Sequence, residues 1–230
     1  GIAHDFNNIL SGIFGYAQLT EKNCDKPKKV RHNLSQLVKG AKRASDLVQQ
    51  ILTFSREVEH EKRRLQPYVI VKEALKLLRS SIPQTIEIKE QIHSQKHIMA
   101  DATQVYQVVM NLCTNAYQAM EDTGGRLTVR LTDTTESAPE NSDSIIQSPG
   151  MYILLEIADT GCGMDQKTID RVFDPYFTTK DVGEGTGLGL ALVSSIVKEH
   201  NGFIRVSSEL GHGAAFHVFW PVIENVKKKE

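Results

Sequence analysis

Val182-Gly183-Glu184-Gly185-Thr186-Gly187-Leu188-Gly189-Leu190-Ala191-Leu192-Val193 is the stretch whose reading decides this chain. Glycines alternate at 185, 187 and 189 and run directly into an apolar helical segment. Without side chains, such residues let several backbone N–H groups turn toward one point, and the following helix N-terminus adds partial positive charge there. The device suits phosphate. It is not the dinucleotide fingerprint, because the sixth position from Gly183 or Gly185 is Leu188 or Leu190. It is not a P-loop either, since no Gly-Lys-Ser/Thr follows.

Composition narrows the surroundings. The chain has 230 residues, 40% of them hydrophobic, and a formal net charge of −1, so it can bury a sizeable core and shows no basic excess for nucleic acid. Three cysteines without CxxC or metal-ligand spacing fit a reducing, cytoplasmic setting. His93 and His97 are four apart in strand and loop context, which is not a metal spacing. No apolar run approaches the ~20 residues that cross a bilayer, so no membrane contact is expected within this stretch. The chain opens at Gly1 already in helical pattern and reads as a fragment whose full-length protein could carry a membrane anchor upstream.

Residues 1 to about 23 space Ile2, Phe6, Ile9, Ile13 and Tyr16 at alternating four- and three-residue steps. Val30, Leu34, Leu37, Ala41, Ala44, Val48, Ile51 and Val58 repeat the pattern. These seams predict a helical hairpin closed by the polar turn Asn23 to Lys29, and two helices cannot enclose such seams alone. A homodimer closing a four-helix bundle is the expected solution. With Phe6 at an a position, His4 falls at f, on the exposed face, beside Asp5 and one turn before Asn8.

The Pro-containing junction Arg63 to Pro67 marks the boundary between domains 1–62 and 63–230. Beyond it the pattern predicts a helix from about 68 to 81 and strands Thr85 to Ile92 and Ile98 to Ala100. Asp101 reads as an N-cap with Gln104 at the capping-box position, opening a helix over 102–121. That helix buries Val105, Val108, Val109, Leu112, Ala116 and Ala119, with Gln104, Asn111 and Asn115 as a stripe of amides along one edge. A strand at 126–134, a polar insertion over 137–150 and a nearly continuous apolar strand, Tyr152 to Ala158, follow; the last is expected to be central. A short helix ending at Phe173, a helix over 188–200 and a hairpin of 203–208 with 214–220 complete an α+β domain. Its expected form is one mixed sheet with helices on one face.

Four segments carry the chemistry: Asn111-Leu112-Cys113-Thr114-Asn115-Ala116, Asp159-Thr160-Gly161-Cys162-Gly163, Phe173-Asp174-Pro175-Tyr176-Phe177 and Gly185-Thr186-Gly187-Leu188-Gly189. A carboxylate at a strand end, Asp159, can accept from an exocyclic amine, while Gly161 and Gly163 let a flat base lie against backbone. In order and spacing the four resemble the N, G1, F and G2 boxes of the Bergerat (GHKL) ATP-binding fold, shared by sensor histidine kinases, gyrase, the Hsp90 chaperone and MutL. Ile2-Ala3-His4-Asp5-Phe6-Asn7-Asn8-Ile9-Leu10 resembles the phosphoacceptor box of sensor histidine kinases of the nitrogen-regulation and hybrid types. Most such boxes carry proline where this chain has Ile9.

The resemblance, which covers essentially the whole chain, implies the catalytic core of a sensor histidine kinase, with ATP and Mg²⁺ as cofactors. It makes Asn115 the magnesium ligand and Asn111 a contact to phosphate or metal-bound water. A glutamate stands at that position in gyrase-like and Hsp90-like members, and its lack argues against a dedicated ATPase. Phe173 to Leu188 become the ATP lid: Phe173 and Phe177 pack its base, Thr178, Thr179 and Lys180 reach the terminal phosphates, and Gly185, Thr186, Gly187, Leu188 and Gly189 wrap them. His4 is then the phosphoacceptor, Asp5 orients its ring, and Asn8 stands where a water-positioning residue serves dephosphorylation of a partner. The implied partner is a response-regulator receiver domain. Two rival readings stay open here, an ATPase coupled to conformational change and a non-catalytic nucleotide-binding dimerisation module.

Overall fold

Helical periodicity over the first sixty residues, and alternation of strand and helix beyond them, resolve into two units, Gly1–Glu59 and His60–Glu230. The computed structural model describes residues 2–55, 61–136, 150–180 and 186–223. Among the described residues, no helix is long and apolar enough to cross a membrane.

The first unit is a hairpin of α1 (Ile2–Lys22) and α2 (Pro27–Ser55). Its turn is tied locally: the Asn23 side-chain amide donates to the Leu19 carbonyl at 2.7 Å, and the Lys26 amide donates to the Asn23 carbonyl at 2.8 Å. Pro27 then opens α2, where its fixed φ and missing N–H do no harm. The helices approach closely at Gly40, where an added Cβ would stand 2.9 Å from Ile13 Cγ1. The heptad expectation placed Leu34 in the seam. In this single hairpin Leu34 and Val38 on α2 and Phe14 on α1 are exposed, and Asn33 is buried. An apolar face therefore stays open on the hairpin itself.

The second unit is built on β5 (Gly150–Asp159), a mostly apolar strand that is, as expected, central. The five-stranded sheet runs in the order β2 (Ile86–Ile92), β4 (Gly125–Glu136), β5, β7 (Gly213–Pro221), β6 (Phe203–Glu209). β2 and β4 are parallel; the other neighbours are antiparallel. The sheet is mixed, as the pattern predicts. One face, with Val129, Leu131, Leu155, Ile157, Phe216 and Val218, packs against α3 (Pro67–Ser81), α4 (Ala102–Ala119) and α6 (Gly189–Glu199) in one core. The opposite face carries a small cluster of Tyr152, Phe203 and Phe219, and beside it a polar row, Gln91, Arg130, Glu156, His217 and Arg205, in register across all five strands.

Three sequence expectations change. Ile98–Ala100 (β3) does not join the main sheet; it pairs antiparallel with Arg63–Leu65 (β1), which the sequence offered only as a junction. Arg63-Arg64-Leu65 carries a single apolar residue and so no strand signal of its own, and the partner about 35 positions away decides it. The helix expected to end at Phe173 is a single turn, α5 (Gln166–Ile169), capped by Asp165, whose carboxylate accepts from the Thr168 amide at 2.9 Å. Finally, Asp101 caps α4 by accepting from Thr103 and Gln104 amides, but Gln104 does not complete a capping box. Its side chain is buried and donates to Glu199 of α6 at 3.0 Å. Predicted insertion residues 137–149 lie outside the described residues, as does Val58.

Candidate functional site

The sheet delivers Asp159 to the C-terminal end of its central strand, 8% exposed. One carboxylate oxygen, Oδ1, accepts from the amides of Gly161 at 2.8 Å and Ala214 at 3.3 Å. Both bonds fall on the same oxygen, so Oδ2 is left to accept from something else. Burial raises the Asp159 pKa above the ordinary carboxylate value, and the two amide bonds oppose that rise. Asp159 is thus a fixed acceptor in a place water reaches poorly.

The glycines that follow are steric requirements. A Cβ on Gly161 would stand 2.5 Å from the Ala119 carbonyl oxygen at the end of α4. Gly163 has φ +66°, and a Cβ there would lie 2.0 Å from the Glu209 carbonyl oxygen. The loop is stitched to the β6–β7 turn as well: the Gly211 amide donates to the Cys162 carbonyl at 2.7 Å, and the Met164 amide donates to Ser208 Oγ at 2.8 Å. Sequence reading took Gly211 to Gly213 only as a turn. In the fold that turn also backs the acceptor, since the Ala214 amide reaches Asp159 and a Cβ on Gly213 would meet the Asp159 carbonyl oxygen at 2.0 Å. Thr160 adds a third tie by accepting from the Arg126 amide at 2.9 Å.

Next to this pocket, α4 presents its amides. Asn111 Nδ2 donates to the Gln107 carbonyl at 3.0 Å, and Asn111 Oδ1 lies 3.2 Å from where a Cβ on Gly189 would stand. Asn111 therefore rests on the N-terminus of α6. Asn115, one turn on, is half-buried and makes no side-chain hydrogen bond among the described residues. A neutral amide oxygen with unused capacity suits a hard cation beside phosphate, so the donor set fits Mg²⁺.

The aromatic segment holds the base of the loop expected to close over the site. Phe173 meets Phe216 edge-on with centroids 6.4 Å apart, and Arg171 lies 4.5 Å from the centroid of Phe177. Tyr176 has φ +67°, and its amide donates to the Gly187 carbonyl at 2.9 Å. Thr178 Oγ1 accepts from the Lys180 amide at 3.2 Å, and Thr179 is exposed. The Lys180 ammonium donates to Gln118 Oε1 on α4. Thr186 Oγ1 accepts from the Leu188 amide at 3.4 Å. Of the predicted glycines, Gly187 and Gly189 are placed; Gly185 lies outside the described residues. Tyr176, Gln118 and Ala214 are contributors that no sequence signal singled out.

In the first unit, His4 and Asp5 lie within α1, one helical turn ahead of the exposed Asn8, and the His4 and Asp5 side chains fall outside those described. Asp159, Gly161, Gly163, Asn111, Asn115 and the residues flanking 181–185 are brought together by one unit; His4, Asp5 and Asn8 belong to the other.

Known proteins align with both units. Residues 100–224 match the family described as histidine kinase-, DNA gyrase B- and HSP90-like ATPase, and residues 1–59 match the His kinase A (phospho-acceptor) domain. The sensor kinase CckA of Brucella abortus is 34% identical over all of this chain, which spans 24% of that protein. The signal transduction histidine-protein kinase AtoS of Escherichia coli is 30% identical over 96% of the chain and 34% of its own length. The sensory histidine kinase/phosphatase NtrB of Azospirillum brasilense is 30% identical over 90% of the chain and 51% of its own length. The chain thus spans a quarter to a half of these relatives. Among solved structures, the Acinetobacter baumannii histidine kinase AdeS superposes with a TM-score of 0.66 at 19% identity, covering 96% of this chain and 98% of that one. Full-length ShkA in complex with AMPPNP superposes with a TM-score of 0.63 at 23% identity, covering 95% and 44%. Both show likeness of fold.

Proposed function

The chain belongs to the histidine kinase-, gyrase B- and HSP90-like ATPase family as the catalytic core of a sensor histidine kinase, and from that membership we propose an ATP-dependent phosphorylation of its own His4, followed by transfer to a receiver-domain aspartate. The observation that carries the reading is the pairing on one chain of a phosphoacceptor-type hairpin, residues 1–59, with an ATPase-type fold over 100–224. Each rival reading leaves a part unused: an ATPase coupled to conformational change has no use for the phosphoacceptor-type hairpin, and an idle dimerisation module has no use for the lid.

We assign phosphoacceptor and dimerisation roles to residues 1–62 and the nucleotide role to 63–230. Asp159 Oδ2 accepts from the adenine amine, and Gly161 and Gly163 give the base a flat backbone wall. Asn115, with Asn111 beside it, would hold Mg²⁺, which when bound would supply charge neutralisation to the phosphates. The N-terminus of α6 and the glycines before it draw the phosphate chain, and Thr178, Thr179 and Lys180 cover its outer end. Asp5 accepts from one ring nitrogen of His4, fixing the tautomer. The other nitrogen forms a bond to the γ-phosphorus as the bond to the β,γ-bridging oxygen breaks and ADP leaves. The phosphoryl group then passes to a carboxylate of a response-regulator receiver domain. Asn8 orients water for the reverse signal, dephosphorylation of that partner.

The open apolar face supports dimerisation. Phe14, Leu34 and Val38 are 66%, 48% and 68% exposed on the hairpin, and a second copy would cover them as a four-helix bundle. The deciding experiment is incubation with γ-labelled ATP and Mg²⁺. Acid-labile, alkali-stable label on the protein, absent in His4→Gln, is the expected result. Steady phosphate release without labelled protein would replace the kinase reading with the ATPase one.

A further inference from the structure

Asn111, Asn115 and Gln118 stand four and three residues apart, one above another along α4. The outer two are each engaged by residues that flank 181–188. Gln118 Oε1 accepts from the Lys180 ammonium, and Asn111 Oδ1 packs against Gly189 at the start of α6. Asn115, in the middle, keeps its side-chain hydrogen-bonding capacity among the described residues. The two margins of the loop therefore fall on either side of Asn115 along α4.

We propose that Gln118 is a positioning residue for Lys180, setting its charge at the outermost phosphate of a nucleoside triphosphate; this deepens, and rests on, the reading of the site as an ATP pocket. A lysine on an exposed segment is a strongly hydrated point charge on a four-carbon stem and samples many rotamers in water. An amide oxygen on a rigid helix narrows that sampling to one side of α4. Gln118 is suited to the task because its amide oxygen accepts a hydrogen bond from the ammonium without itself carrying a negative charge. A carboxylate at 118 would hold the lysine harder and cancel its field. Asn111 and Asn115 act on groups near the helix face; Gln118 acts only through Lys180.

The reading predicts discrimination at one phosphate. ATP carries the γ-group and ADP does not, so losing Gln118 should weaken the first and spare the second. The test uses the whole chain with Mg²⁺ and titrates a nonhydrolysable ATP analogue and ADP into wild type, Gln118→Ala, Lys180→Ala and the double variant. Gln118 is exposed and alanine favours helix, so the variant keeps its fold, which its melting temperature checks. The expected result is a loss of about three- to tenfold for the triphosphate analogue in Gln118→Ala, with ADP unchanged within about twofold. In the Lys180→Ala background the same substitution should change nothing further. Parallel weakening of both nucleotides, no change in either, or full additivity with Lys180→Ala would each overturn the assignment. A wild-type chain that binds neither nucleotide would instead remove the ATP reading itself.

Discussion

The backbone amide of Tyr176 donates to the carbonyl of Gly187 at 2.9 Å, and both residues sit at positive φ, +67° and +63°. The two ends of the segment expected to cover the nucleotide are thus clasped by backbone. Tyr176 accepts an unfavourable conformation at a cost of ~1 kcal/mol or more to do it.

Gly187 is the half of this clasp that cannot change. A Cβ there would lie 2.3 Å from the Tyr176 carbonyl carbon, backbone that has nowhere to give. Gly187→Ala is expected to open the clasp and lower ATP affinity about tenfold or more, at a local cost of ~1–3 kcal/mol. Calorimetric titration reads the first quantity. Circular dichroism should show the sheet intact; a globally unfolded variant would contradict the view that the clasp serves the loop alone.

Asp159→Asn separates stability from binding. Burial raises the pKa of this carboxyl in the fold above its unfolded value, so the stability linked to it is present at low pH and is lost as pH rises through the folded pKa. At neutral pH a neutral asparagine, whose Oδ1 can still accept from Gly161 and Ala214, should therefore raise the melting temperature. Its Nδ2 would meet the adenine amine donor to donor, and nucleotide affinity should fall about 30-fold or more. A variant that loses stability, or keeps its affinity, would refute the assignment of Oδ2.

His200 works in the opposite sense with pH. Its Nδ1–H donates to the Ile196 carbonyl at 2.7 Å and its Nε2 accepts from the Asp101 amide at 3.0 Å, so the ring is held neutral. Burial lowers its pKa below the ordinary imidazole value of 6.5; the bond to the Ile196 carbonyl opposes that, as do Glu199 and Asp101, and Lys62 lowers it further. The unfolded state therefore binds the proton first. The contribution of this group is whole above about pH 6.5 and declines below it, with a slope of at most about 1.4 kcal/mol per pH unit, until the folded pKa is passed. Urea unfolding at pH 8 and pH 5.5 should show a larger acid loss for wild type than for His200→Gln.

The three thiols should differ in reactivity. Burial pushes Cys113 up to about 12, whereas Cys24 and Cys162 are exposed. Iodoacetamide at pH 8 should modify Cys24 and Cys162 and leave Cys113 untouched until urea unfolds the chain. Saturating ATP analogue should protect Cys162, which lies between the two glycines after Asp159, and leave Cys24 unchanged. Mass spectrometry of tryptic peptides gives all three rates.

Much of this was legible before any coordinates. The long apolar strand at 152–158 announces the sheet centre, and Asp159 with its glycines announces the acceptor, because these depend on short-range pattern and backbone sterics. What the sequence hides is what distant residues decide. β1 becomes a strand only because β3 reaches it, and Gln104 leaves its cap because the Asp101 amide already donates to His200 Nε2 while Glu199 of α6 accepts from the Gln104 side chain. Tyr176 gives no hint of a left-handed conformation, since no propensity favours an aromatic there and the constraint comes from Gly187. Gln118 reads as an ordinary solvent-facing glutamine until a lysine 62 positions later touches it.

Among the described residues the order of strands leaves β2 and β6 as the rims of the sheet. Rims invite strangers, because unpaired main-chain groups there can recruit another strand. Here one rim bears Glu87 and Lys89 and the other Arg205 and Glu209, all exposed, with Glu87 ion-paired to Arg126 and Arg205 to Glu136. Any fibril growing sideways from this sheet must strip water from those charges at every added layer, so crowding should drive the chain into helix-mediated pairs well before it drives it into aggregates.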